Sequence, residues 1–188
     1  MSIREDSEPI LVGAEPLGKI LPIDLIPQIK NNWCWAACAE MVFKHRSITV
    51  KRQCDLVLSA LSASASSLDC CNNRPDGPCD LPASDKEITN LYINKGIRSA
   101  TLVDPIKPDE IKAEIGRNAP VEIGYKGSGF GRGAIGHVVL LYGWQETPGV
   151  GLSFFIHNPL AQARSVRADF ALPGQIDRGL WDATWKGL

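Results

Sequence analysis

The feature that most constrains this chain is a change of hydrophobic period near residue 120. Before it, apolar residues recur at helical intervals; after it, they alternate or run together as they do in strands. Helices first and strands second is the order of an α+β domain with an antiparallel sheet. It is not the alternating order that builds a parallel one.

The helical half divides into four segments. The first runs from residue 34 to about 44 or 45, with Trp35, Cys38, Ala39 and Val42 on one stripe, Asn31 or Asn32 placed to cap it, and Lys44 and His45 suited to its negative end. Thr49 is a candidate cap for a second helix that carries Val50, Cys54, Val57, Leu58 and Leu61 on one face. Ser84-Asp85-Lys86-Glu87 is a capping box that opens a third, with Ile88, Leu91 and Tyr92 inward and Gly96 as its stop. A short strand at residues 99–103 precedes a fourth helix, introduced by Pro108 and ending near Gly116. In the second half Val121, Ile123 and Tyr125 alternate, whereas residues 137–144 and 152–156 are apolar on both faces, as central strands are. Residues 165–172 and 181–185 read as further strands.

With 188 residues the chain makes one medium domain. Residues 1–27 hold scattered prolines and glycines and read as an extended arm or linker; residues 28–188 form the domain. A net charge of -1 argues against nucleic acid or an anionic membrane as main partner. No apolar run approaches the ~18 residues of a membrane span. The first residues show no apolar signal-peptide core, so export would use another route or an upstream segment; otherwise the chain works in the cytoplasm.

Cys54, Cys70, Cys71 and Cys79 cluster in a loop-rich region. They lack the C-x₂₋₄-C hook of a zinc site, which puts two disulfides ahead of free thiols or a metal and leaves their pairing open. Disulfides would place the protein outside a reducing cytosol. The stretch from Lys126 to Gly136 contains Gly131-x-Gly133-x-x-Gly136, a formal dinucleotide fingerprint. That motif needs a helix after it to receive phosphate, and here a strand follows. It is read as a flexible rim leading to His137, and no cofactor is called for.

Cys34 stands where a polar turn meets a helix. The partial positive charge of a helix start favours thiolate over thiol, which is the setting a nucleophilic cysteine needs. Such a nucleophile also needs a base, a group to orient the base, and donors for the oxyanion. His45 lies about three turns along the same helix, too far to share a proton, and His157 sits inside an apolar strand as a structural histidine. His137, at the mouth of a strand, is the candidate base. Asn158 ends the next strand, where it can hold the imidazole, and Pro159 fixes the turn that presents it. Gln28 offers a side-chain amide to join the Cys34 backbone N–H in an oxyanion hole.

Gln28, Cys34-Trp35-Ala36, Gly136-His137-Val138-Val139 and Asn158-Pro159, in that order, resemble a papain-like cysteine protease. Asn32-Trp33-Cys34-Trp35-Ala36-Ala37, with Gln53-Cys54, Cys70-Cys71 and Cys79, is similar to the compact bacterial branch of AvrRpt2-like and C39-like peptidases. The resemblance implies an N-terminal helical lobe carrying the nucleophile and a C-terminal antiparallel sheet lobe carrying His137 and Asn158. It implies hydrolysis of peptide bonds through an acyl-enzyme on Cys34, with Trp33 and Gly136 as candidate substrate contacts. Protein or peptide is then the substrate, a bacterial secreted or injected effector or toxin is the expected role, and a cognate inhibitor or immunity protein is a candidate partner. Two other readings use the same residues: a different acyl transfer, of amidase or transglutaminase type, and an inactive binding module on the same fold.

Overall fold

A computed structural model of the chain describes residues 17–50, 52–61, 69–72, 77–127, 136–160, 165–169 and 179–188. Helix α1, Cys34–His45, is buried from Cys34 through Phe43. A stripe was expected, but Ala36, Ala37 and Ala39 are small enough for neighbours to close in on every side, so α1 is a core helix. Its end is as read from the sequence, with Lys44 and His45 in the last turn.

Helix α2, Gln53–Ala60, starts later than Thr49 predicts: Arg52 is its N-cap, in extended conformation. The start is set by tertiary contacts of the Gln53 side chain, described below, and not by a local hydroxyl cap. Helix α3, Asp85–Asn94, has the expected capping box, with Ser84 N–H donating to Glu87 Oε2 at 2.7 Å and Glu87 N–H donating to Ser84 Oγ at 3.4 Å. Gly96 follows at φ 101°, the left-handed turn that glycine adopts without strain. Helix α4, Pro108–Gly116, opens on its proline. None of the described helices is long and apolar enough to cross a membrane.

Seven described strands form one antiparallel sheet: β1 (Leu17–Ile20), β2 (Thr101–Val103), β3 (Val121–Gly127), β4 (His137–Thr147), β5 (Gly151–His157), β6 (Ser165–Asp169) and β7 (Gly179–Lys186). Their order is β2-β7-β3-β4-β5-β6, with β1 also paired to β4. The fold is α+β, as expected. The stretch 170–172, expected to continue β6, and the glycine loop from 128 to 135 lie outside the described residues.

Strand β4 is the axis. It pairs with β3 through its first half and with β5 through its second, and β1 lies along residues 143–146. The described end of the N-terminal arm is therefore a sheet strand. Gly18 and Gly143 allow that crossing, since a Cβ on Gly18 would sit 2.6 Å from the Trp144 carbonyl oxygen and one on Gly143 would sit 3.1 Å from Ile20. Leu21, 1% exposed, then carries the arm into the core. Helix α1 packs on β4 and on α2, which brings the start of α1 to the start of β4.

Candidate active site

Cys34 is the first residue of α1, as the sequence indicates. The helix is not capped by Asn31 or Asn32. Its N-cap is Trp33, with no side-chain cap bond. Asn32 is held elsewhere: its backbone N–H donates to Asp80 Oδ1 at 2.7 Å and its side-chain amide to the Asp80 carbonyl at 3.0 Å.

Burial reverses the electrostatic expectation for the thiol. Cys34 is 8% exposed, and loss of solvation pushes its pKa up to about 11. Backbone amides of Val138, Trp35 and Cys34 itself favour the thiolate, and the carboxyl of Glu122 opposes it. The helix start therefore does not ionise Cys34 at neutral pH on its own. Ionisation needs a base that accepts the proton.

His137 opens β4 and is partly exposed. Its Nε2 lies 2.8 Å from Asn158 Oδ1. An amide oxygen only accepts, so Nε2 carries a proton, and when the ring is neutral its lone pair is on Nδ1. Asn158 is itself buried, and its Oδ1 also accepts the Leu160 backbone N–H at 3.0 Å across the Pro159 turn. The antiparallel register of β4 with β5, in which Leu140 pairs with His157, is what brings these two strand ends together.

The four segments are stitched to one another. Gln28 N–H donates to the Pro159 carbonyl at 3.1 Å, next to Asn158. Val138, the residue after His137, meets both thiols of α1: its backbone hydrogen-bonds Cys34, and Cys38 Sγ lies 3.7 Å from its carbonyl oxygen. Gln28 Nε2 donates to the carbonyls of Lys30, at 2.8 Å, and Asn31, at 2.7 Å. Both amide hydrogens are thus engaged within the turn that leads to Cys34, and Gln28 Oε1 is buried without a hydrogen-bond partner among the described residues.

This arrangement sits on a known architecture. No protein-family model and no curated sequence matches the chain. Its fold is similar to the crystal structure of a provisionally assigned C39-like peptidase from Bacillus anthracis, with a TM-score of 0.56, 15% identity, and coverage of 89% of this chain and 96% of that one. The fold is papain-like. At that identity the likeness is one of architecture, and the chemistry rests on the residues.

The remaining expectations fall as follows. Trp33 is 1% exposed and its indole donates to the Cys79 carbonyl at 2.8 Å, so the ring is held inside the domain in this conformation. Gly136 is partly exposed, and its N–H donates to the Tyr125 carbonyl at 2.7 Å. The clustered cysteines form two disulfides, Cys54–Cys71 and Cys70–Cys79, while Cys34 and Cys38 are free thiols. His157 is structural: it is 3% exposed, stacks on Tyr142 at 3.8 Å, and hydrogen-bonds the Ile23 carbonyl at 2.7 Å.

The sequence reading missed Glu122. Alternation singled out Val121, Ile123 and Tyr125 and passed over Glu122 between them, yet β3 is covered on both faces and Glu122 is fully buried. The Tyr92 hydroxyl donates to its Oε2, and its Oε1 has no hydrogen-bond partner among the described residues. Burial raises its pKa to about 8, with the Tyr92 bond pulling the other way. The same ionisation would raise the pKa of Cys34 and of Cys38. Burial thus favours the protonated form of Glu122 near neutral pH.

Proposed function

We propose that this protein is a cysteine peptidase that cleaves peptide bonds through an acyl-enzyme on Cys34. The observation that carries the reading is the 2.8 Å bond from His137 to Asn158, made at the start of β4 beside the backbone that meets the Cys34 thiol. The papain-like architecture supports the same reading.

In this mechanism His137 Nδ1 takes the Cys34 proton as Sγ attacks the substrate carbonyl carbon. Asn158 keeps the proton on Nε2, so the ring presents the correct nitrogen and the imidazolium is stabilised as it forms. The tetrahedral oxyanion is received by the Cys34 backbone N–H and by Gln28 Nε2, once that amide gives up one of its two turn carbonyls. The imidazolium then returns its proton to the departing amine. A water molecule, deprotonated by the same nitrogen, releases the acyl group and restores the thiol. Because Cys34 is a buried thiol, this is a base-assisted attack.

Two disulfides support a place of work outside a reducing cytosol, consistent with a secreted or injected bacterial effector or toxin. The test of the activity is cleavage of a peptide library, or of unfolded casein, by the oxidised protein. Cys34→Ala should abolish cleavage, and His137→Ala should reduce it by about 10²–10⁴-fold. Cleavage unchanged in both variants removes the reading.

A further inference from the structure

We propose that Gln53 and Asp80 are positioning residues, which hold the Gln28 turn and the start of α1 in register and are themselves held by the two disulfides. The proposal rests on the peptidase reading above and extends it to residues that touch neither substrate nor the reacting atoms.

Gln53 is 1% exposed, at the first position of α2. Burying an amide is unfavourable unless it is hydrogen-bonded. Its Oε1 accepts the Ile29 N–H at 3.1 Å, and its Nε2 donates to the Pro27 carbonyl at 2.8 Å. One side chain thus grips the backbone on both sides of Gln28, which fixes the direction in which the Gln28 amide projects.

Asp80 does the equivalent for the nucleophile. Its Oδ1 accepts the Asn32 N–H at 2.7 Å, and its carbonyl accepts the Asn32 side-chain amide at 3.0 Å. On either side of it, the Cys79 carbonyl takes the Trp33 indole N–H at 2.8 Å and the Leu81 carbonyl takes the Trp35 indole N–H at 3.4 Å. Residues 79–81 therefore hold 32, 33 and 35, and so bracket Cys34. This also accounts for the two tryptophans that flank the cysteine.

The two grips are the ends of one covalent strap. Cys54, next to Gln53, is bonded to Cys71; its neighbour Cys70 is bonded to Cys79, next to Asp80. The donor turn and the nucleophile's helix start are thereby fixed relative to each other through two adjacent disulfides. Acyl transfer needs such placement, since a misplacement of about 1 Å can cost about 100-fold in rate.

The experiment measures kcat and KM on fluorescein-labelled unfolded casein for the oxidised full chain and for Gln53→Ala, Asp80→Ala, Asp80→Asn and the double variant Cys70→Ser/Cys79→Ser. Melting is followed by circular dichroism, so that activity is compared below each transition. Should Gln53→Ala fail to fold, Gln53→Met keeps the side-chain volume while lacking both hydrogen bonds. Gln53→Ala and Asp80→Ala should lose about 100-fold in kcat with KM changed little, and the cysteine pair should behave like Asp80→Ala. Asp80→Asn retains a carbonyl oxygen for the Asn32 N–H and should recover most of kcat. Wild-type kcat in folded Gln53→Ala and Asp80→Ala, with only the melting temperature lowered, overturns the positioning role. Cleavage that survives Cys34→Ala would instead overturn the peptidase reading on which it rests.

Discussion

Replacing Glu122 by Gln should stabilise the protein increasingly as pH rises from 5 to 8. In the folded chain the carboxyl gives up its proton only around pH 8, because burial penalises its charge; unfolded, it ionises near its ordinary 4.5. A carboxyl whose folded pKa is raised binds a proton that the unfolded state has already released. Its effect is therefore a loss of stability that begins above pH 4.5, grows to about pH 8, and is constant beyond. Each pH unit is worth roughly 1.4 kcal/mol, so the full interval approaches an upper bound on the order of 5 kcal/mol. Against a domain stability of about 5–15 kcal/mol, that is a large fraction. Gln keeps an acceptor for the Tyr92 hydroxyl and carries no charge at any pH. Its amide nitrogen enters the place of an oxygen that has no partner, which adds an offset of about 1–3 kcal/mol that does not vary with pH. The slope is thus the diagnostic quantity. Urea unfolding of both proteins at intervals from pH 5 to 8 should show a difference that widens with pH. Parallel curves across that range would refute the claim that Glu122 is buried as a neutral acid.

Two further outcomes follow from the packing. The pKa of His157 is lowered by burial, with its bond to the Ile23 carbonyl and the charge of Asp24 opposing, so it contributes a loss of stability as pH falls below its ordinary 6.5. Urea unfolding between pH 7 and 5 should therefore fall less steeply in His157→Gln than in the wild type. Gly187 sits at φ 75°, and a Cβ there would lie 2.3 Å from the Ser99 carbonyl oxygen. Gly187→Ala should cost more than about 1 kcal/mol in thermal unfolding, and an unchanged melting temperature would show that the C-terminal turn is not fixed.

What could be read from the sequence was what is local. The Ser84–Glu87 capping box and the Gly96 stop involve residues that are neighbours in the chain, and both are found as read. The pairing of His137 with Asn158 was accessible for a different reason: consecutive antiparallel strands bring the start of one to the end of the next. Features set by distant partners were not accessible. Asn32 looked like a helix cap, but its backbone N–H and its side-chain amide are turned to Asp80, 48 positions away. Strand β1 was hidden in a proline- and glycine-rich arm, because its partner is at residues 143–146. Glu122 drew no notice because period-two alternation describes one sheet face, and only the packed helices show that the other is covered as well. Gln53 was visible only as part of the Gln53-Cys54 pattern, and its grip on the backbone at Pro27 and Ile29, 26 and 24 positions away, was not.

The most direct test of the central claim is the pH profile of Cys34 alkylation by iodoacetamide, followed by mass spectrometry of the Cys34 peptide in the wild type and in His137→Ala. With its pKa pushed up to about 11 by burial, Cys34 has little thiolate at neutral pH unless His137 accepts its proton. Cys34 should react between pH 6 and 7 in the wild type, well ahead of Cys38, and His137→Ala should defer the reaction until above pH 9. Identical profiles in the two proteins would contradict that claim.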